Sequence, residues 1–169
     1  MTTFRPMAED DAPAVAAFMT TLLAEDPTMG GGTAASAQHL AAQVKDGLQT
    51  WLAIDNGTIV GVIGPLMHGE RATADGHIRS FDYLNRGVTQ YAKSEAEAFE
   101  IAKALALAVY NDVQAQGKLP DDTMIEGATA CRGAGWCRKL RFEETDLGDG
   151  RSRFIIPTAL IPTVCKAAT

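Results

Sequence analysis

The most constraining stretch of the 169-residue chain is Thr50 to Met67, where two strand-like runs flank Asp55-Asn56-Gly57. Asn-Gly between β-branched and aliphatic residues predicts a tight hairpin, because both turn residues tolerate a positive φ. The runs are Thr50 to Ile54 and Thr58 to Met67, and Gly61 and Gly64 mark a bulge or a close backbone approach in the second. The longest helical pattern runs from Ser94 to Gln116, with Phe99, Ala102, Leu105, Ala106, Val109, Tyr110 and Val113 on one side. Ser94 and Glu97 have capping-box spacing, and Gly117 closes the helix.

Around this unit the pattern alternates. Thr2 to Met7 reads as a short strand, followed by a helix capped at Asp10 or Asp11, with Val15, Phe18, Met19, Leu22 and Leu23 as its stripe. Pro27 and Gly30 to Gly32 interrupt it, and Ala34 to Lys45 reads as a second helix ended by Gly47. Gly69 to Gly76 is polar and loop-like, His77 to Leu84 a third core strand, and Asn85-Arg86-Gly87 a turn. After the long helix come a strand at Thr123 to Thr129, a helix at Cys131 to Leu140, and a strand at Phe142 to Leu147. Gly148 to Gly150 then turns into a last strand, Phe154 to Ile161, interrupted by Pro157. With neither linker nor repeat, residues 1–169 are expected to form a single α+β domain.

Composition narrows the function classes. A net charge of −6 argues against a general nucleic-acid binder. No apolar run reaches the ~20 residues a bilayer crossing needs. The first 25 residues carry acids in place of a basic and then apolar leader, so a cytoplasmic protein is expected. Residues 1–117 hold 7 basic and 14 acidic side chains, whereas 118–169 hold 8 and 7, including Arg132, Arg138, Lys139 and Arg141. That cluster reads either as a phosphate-meeting patch or as a solvated helix face. Cys131, Cys137 and Cys165 lack a zinc spacing, and His39, His68 and His77 are scattered, so no metal site is expected.

Three stretches together resemble the GNAT superfamily of N-acetyltransferases. Phe4-Arg5-Pro6 with Glu9-Asp10-Asp11 is similar to its opening strand and first helix. Trp51-Leu52-Ala53-Ile54-Asp55-Asn56-Gly57-Thr58-Ile59-Val60-Gly61 is similar to the hairpin of its second and third strands. Cys137-Arg138-Lys139-Leu140-Arg141-Phe142-Glu143 resembles its Y-x-K-L-G-F-E segment. The resemblance implies an α/β/α layered fold, with a mixed, mostly antiparallel sheet of six to seven strands and about four helices. It also implies strands at 77–84 and 123–129 that splay into a cleft.

In that family a Q/R-x-x-G-x-G/A loop before the long helix holds the acetyl-CoA pyrophosphate on backbone N–H groups. The matching stretch is Gln90-Tyr91-Ala92-Lys93-Ser94-Glu95, with Lys93 and Glu95 where glycines are expected. The resemblance thus implies Leu84, Gln90, Lys93 and Ser94 as cofactor-binding residues, while Glu95 and Glu97 would repel a phosphate. Cys137 stands where a tyrosine commonly acts as general acid. Arg138 and Lys139 are expected to lower its thiol pKa, and the alternative is a small buried side chain. Arg141 replaces a glycine and is expected to adopt ordinary backbone angles. Alternation puts Ile78, Ser80, Asp82 and Leu84 on one face of the third core strand, with Arg79, Phe81 and Tyr83 on the other. Asp82 is the candidate base and Tyr83 a second candidate for proton transfer.

Two functions remain. One is an acetyltransferase that uses acetyl-CoA as co-substrate and a small-molecule or peptide amine as acceptor, with neither nucleic acid nor membrane as partner. The other is a catalytically degenerate module of the same fold, of a phage or regulatory kind. The fold often forms dimers, so a homodimer is among the states implied.

Overall fold

A computed structural model describes residues 1–25, 34–72, 76–84, 87–89, 94–118 and 121–167, with the backbone alone at 68, 71, 81–84, 87–89 and 167. The hairpin forms as expected. Strand β2 (Trp51–Asp55) pairs with β3 (Thr58–Ile63) across Asn56 and Gly57, whose φ values of 49° and 81° make both turn residues left-handed. Ala53 faces Gly61 while Ile54 faces Ile59, so Val60 is an extra residue, a β-bulge. The bulge resets the alternation. Val60 and Ile63 both reach the long helix, while Val62 between them faces the opposite layer.

Past Ile63 the chain passes Gly64 and Pro65 into β4 (Leu66–Ala72), which pairs with β5 (Ile78–Leu84). Gly64 is required here. Its φ is +106°, and a Cβ at this position would lie 2.8 Å from the Gln49 carbonyl oxygen. The polar stretch from Gly69 is therefore strand as far as Ala72, where a loop was expected. Strand β6 (Gly87–Thr89) then pairs with β3. Ile63 faces Gly87 and Leu66 faces Leu84, so two residues on each arm separate the pairs and the register carries through unchanged. The four-stranded sheet β1-β2-β3-β6 and the five-stranded sheet β4-β5-β7-β9-β8 are thus joined along one long ladder. Their nine strands lie on seven lines, within the expected strand number. β1 is Thr2–Pro6, β7 Asp122–Ala128, β8 Glu143–Asp146 and β9 Arg151–Pro157.

Two helix layers cover the sheets. Helices α1 (Ala12–Glu25) and α2 (Ala37–Lys45) bury Val15, Met19, Leu22 and Leu40 against Leu52 and Val62. On the other face α3 (Glu95–Ala115) buries Ile101, Leu105, Val109 and Val113 against Ala53, Val60 and Ile63. Each such side chain contributes about 1.5–3 kcal/mol by leaving water. Helix α4 (Arg132–Lys139) packs Ala134 and Cys137 on Phe154. The last strand ends at Pro157, earlier than expected. A short 3-10 turn (Thr158–Leu160) and a fifth helix, α5 (Ile161–Ala167), follow it, and α5 packs back on α3.

Helices α2, α3 and α4 end alike. In each, the residue two beyond the helix donates to the carbonyl three residues before it, and the next N–H donates to the carbonyl five before its own position. Gly47 and Gly117 occupy the first of these positions with φ of 76° and 70°, and Arg141 occupies it in α4 with φ of 60°. Arg141 therefore keeps a glycine's geometry, against the ordinary angles expected from its side chain. The bonds Arg141 N–H to Arg138 O and Phe142 N–H to Cys137 O, both 3.0 Å, hold it there. Left-handed backbone costs a non-glycine residue about 1 kcal/mol. Arg141→Gly should accordingly stabilise the fold by about 0.5–1 kcal/mol and raise the urea midpoint. Gly64→Ala should destabilise it by about 1–3 kcal/mol and lower the midpoint, because the added methyl meets backbone. Equilibrium denaturation of the two variants checks both signs.

Candidate functional site

The site is built where two neighbouring strands part. β5 and β7 run parallel and pair at Phe81 with Asp122, Asp82 with Thr123 and Tyr83 with Met124. Beyond Met124, β7 continues to Ala128 with β9 as its partner, while the other line continues as β6 alongside β3. A helix follows each parted end. The cap of α3, Ser94, comes five residues after Thr89, and the cap of α4, Cys131, three after Ala128. Asp82, Tyr83 and Leu84 lie on β5 at this parting, Leu84 opposite Leu66. Gln90 and Lys93 lie outside the described residues.

At the start of α3, the Ser94 Oγ accepts from the Glu97 N–H at 3.2 Å. The N–H groups of Glu95 and Ala96 remain as the first-turn donors among the described residues. The two acids differ in their surroundings. Glu95 meets Lys139 Nζ of α4 at 3.4 Å. One carboxylate oxygen of Glu97, Oε2, is buried without a hydrogen-bond partner, so the capping box is half made.

Side chains join α3 to α4 across the gap. The Phe99 and Trp136 rings lie 5.8 Å apart with a 43° tilt, Lys139 Nζ lies 5.5 Å from the Phe99 ring, and the Arg132 guanidinium 5.8 Å from Trp136. Trp136 is a residue the sequence reading did not single out. Its signal was there, since Arg132, Trp136 and Lys139 fall on one helix face at spacings of four and three. The four basic residues therefore do not act as one patch. Arg132 lies over the Trp136 ring of its own helix, Lys139 reaches Glu95 and Phe99 of α3, Arg138 forms a two-point ion pair with Glu144 at 2.6 and 2.8 Å, and Arg141 is exposed at the helix end.

Cys137 occupies the opposite face of α4, buried with Ala134 and Phe154. Burial pushes its thiol up to about 12, Cys131 and Glu144 add to the rise, and Arg138 opposes it weakly. The expected lowering by Arg138 and Lys139 is thus reversed, because burial outweighs the opposing charge of Arg138. A thiol held at about 12 is a poor proton donor to a thiolate whose ordinary pKa is ~8.5. Its surroundings are those of a packed core residue. Among the described residues, no helix is long and apolar enough to cross a membrane.

No family model and no curated protein sequence matches the chain. Solved structures do. An acetyltransferase of the GNAT family from Streptococcus pneumoniae superposes with a TM-score of 0.63 at 17% identity, covering 92% of this chain and 96% of its own. An N-acetyltransferase from Staphylococcus aureus Mu50 gives 0.66 at 11% identity, covering 94% and 99%. A variant of the AtaT toxin, bound to the C-terminus of the antitoxin AtaR and to acetyl-CoA, gives 0.62 at 15%, covering 97% of each chain. The chain has the GNAT fold, an α+β architecture in agreement with the resemblance read from its sequence.

Two measurements check the electrostatics described above. In the native protein at pH 8, a thiol reagent should react with Cys131 at most, since burial raises the Cys137 and Cys165 thiols to about 12 and about 11. Denaturant should release all three. The Glu144 carboxyl is held down to about 2, chiefly by Arg138 and then by the Ser152 hydroxyl. Its folded value is depressed, so its stabilisation is present above pH 4.5 and is lost as pH falls toward about 2. Glu144→Gln should flatten the stability profile across that window and leave its slope at pH 6 to 8 unchanged.

Proposed function

We propose that the chain transfers an acetyl group from acetyl-CoA to a primary amine by direct attack of the amine nitrogen on the thioester carbonyl. The observation that carries this reading is the parting of β5 from β7, with a helix start beyond each end, in a fold shared with acetyltransferases. The donors at the start of α3 fit a pyrophosphate: the Glu95 and Ala96 N–H groups, the helix dipole, and Lys139 Nζ close by. Glu95 is the opposing charge, and Lys139 is shared between it and any phosphate. Gln90, Lys93, Ser94 and Leu84 are the residues we assign to the cofactor.

Catalysis in this reading rests on positioning, with backbone N–H groups polarising the thioester carbonyl. Asp82 is assigned to the acceptor's proton. Tyr83, in place of Cys137, is assigned to return a proton to the departing thiolate. The acceptor is a small-molecule or peptide amine, taken up on the side of α1 and α2.

The second reading is a module of the same fold without turnover. The Phe99–Trp136 contact and the Glu95–Lys139 pair favour it, because they span the gap a pantetheine arm would occupy. Calorimetry with acetyl-CoA separates the two. The transferase reading expects binding, weakened by Gln90→Ala or Lys93→Ala and tightened about 2–5-fold by Glu95→Gln, which removes a like charge from the phosphate site. No heat at millimolar acetyl-CoA from folded protein would leave the module reading.

A further inference from the structure

Two helices anchored on different strands can part without disturbing the sheet beneath, provided that the contacts between them are weak. Helices α3 and α4 meet both conditions. Helix α3 rests on β2 and β3 through Ile101, Leu105, Val109 and Val113. Helix α4 rests on β7 and β9 through Ala134 and Cys137, and the Arg138–Glu144 pair ties it to β8. Neither anchor uses the side chains that join one helix to the other.

Those side chains form two tiers. The inner tier is the Phe99–Trp136 ring pair at 5.8 Å. The outer tier is Lys139 Nζ, 3.4 Å from Glu95 and 5.5 Å from the Phe99 ring. Phe99 is the fixed side of the inner tier. It is buried, and the buried Lys103 of its own helix, paired with Glu100 at 2.7 Å, lies 5.1 Å from the same ring. Trp136 is the side able to move. It is half-buried, and its indole N–H is buried without a hydrogen-bond partner, a cost that rotation into water removes. A tilted ring pair, a cation over a ring and an exposed ion pair each shift an equilibrium by at most about 10-fold. The closed arrangement is therefore favoured by a margin that a ligand can overcome.

We propose that Trp136 and Lys139, closed on Phe99 and Glu95, are a latch over the gap between α3 and α4. The proposal rests on the acetyltransfer reading for what enters the gap. The contacts that favour a module without turnover then become the resting state of a protein that binds. An anion at the start of α3 competes with Glu95 for the Lys139 ammonium, and a charged phosphate is the stronger partner. With Lys139 drawn away, the ring pair is left to hold the latch, and an arm entering the gap displaces Trp136. The binding-competent form is a minor one in the free protein. Its scarcity raises the apparent Kd by roughly the ratio of closed to open molecules.

The test has two arms. Of the two tryptophans in the chain, Trp51→Phe leaves Trp136 as the reporter. In that background, without ligand, Glu95→Gln should raise the acrylamide quenching constant of Trp136 about 2-fold, since the outer tier loses its charge pair. An unchanged constant overturns the two-tier latch, whatever the protein binds. In the second arm, calorimetry with acetyl-CoA compares wild type with Trp136→Leu and Phe99→Leu. Each should tighten binding about 5–20-fold, and the double variant no further, because an open latch cannot be opened twice. Gains that multiply in the double variant overturn a shared latch. Unchanged or weaker binding in both single variants, with wild type still binding, overturns the latch and leaves the acetyltransfer reading standing. Heat from Trp136→Leu where wild type gives none supports the latch and that reading together. No heat from wild type or from either leucine variant, each unfolding cooperatively in urea, overturns both. Should one ring variant fail to fold, the other decides.

Discussion

Everything in this molecule hangs from one antiparallel ladder. From Gly61 opposite Thr89 to Ala72 opposite Ile78, a single register runs through β3 and β4 on one arm and β5 and β6 on the other. The same register on both sides of Gly64–Pro65 means that neither arm gains a residue in between. The ladder can therefore change neighbours without losing phase. At one end β5 takes β7 as a parallel partner, and at the other β6 lies with β3 in the sheet that α3 covers. The gap at the site follows from this exchange, because β7 cannot follow a line that has turned to serve the other sheet. One residue of slip would carry every side chain of the hairpin to the opposite face. The bulge at Val60 and the close approach at Gly64 are where that phase is set.

Much of this was legible in the residues because the signals are local. Asn56-Gly57, the apolar stripe of α3 and the caps at Ser94 and Gly117 each report a conformation decided within a few residues. What the residues concealed was decided at a distance. Gly69 to Ala72 reads as a loop by composition, and becomes strand because β5 offers it a complete set of backbone partners. The segment after Pro157 reads as strand by its aliphatic content, yet it is helical and rests on α3. At the site, the motif comparison drew attention to Cys137 and away from its neighbour. One step along a helix is about 100° of rotation, so Cys137 turns into the core beside Phe154 while Trp136 turns to α3.

The electrostatics of the site are likewise a matter of pairing more than of composition. Counted along the chain, Arg132 to Arg141 is a basic cluster beside an acidic portion. In space three of the four cations have a companion, Arg138 with Glu144, Lys139 with Glu95, and Arg132 with the face of Trp136, while Arg141 is exposed. Of these, Arg138–Glu144 is a short two-point contact that also draws in the Ser152 hydroxyl. Lys139–Glu95 is a single contact at 3.4 Å between half-exposed side chains. The first ties α4 to the outer strands, and the second is weak enough to be exchanged for a stronger anion.

The departures from the family's motif therefore differ in kind. Arg141 shows that a motif residue can be lost while its geometry is kept. The backbone there has the angle and the two hydrogen bonds of Gly47 and Gly117, because the end of α4 demands them and the side chain is free to point into water. Cys137 is a loss of another sort, since a thiol in an apolar cluster has the shape of a core residue and little of an acid's chemistry. At the start of α3 the substitutions change charge and leave the helix cap in place. Among the described residues, the parted strands and the two capped helix starts are in place, and what departs from the motif there is side chains. A fold whose shape is set by ladder register and helix-end hydrogen bonds can lose the glycines and the tyrosine of its motif and still hold its two helix starts on either side of one gap.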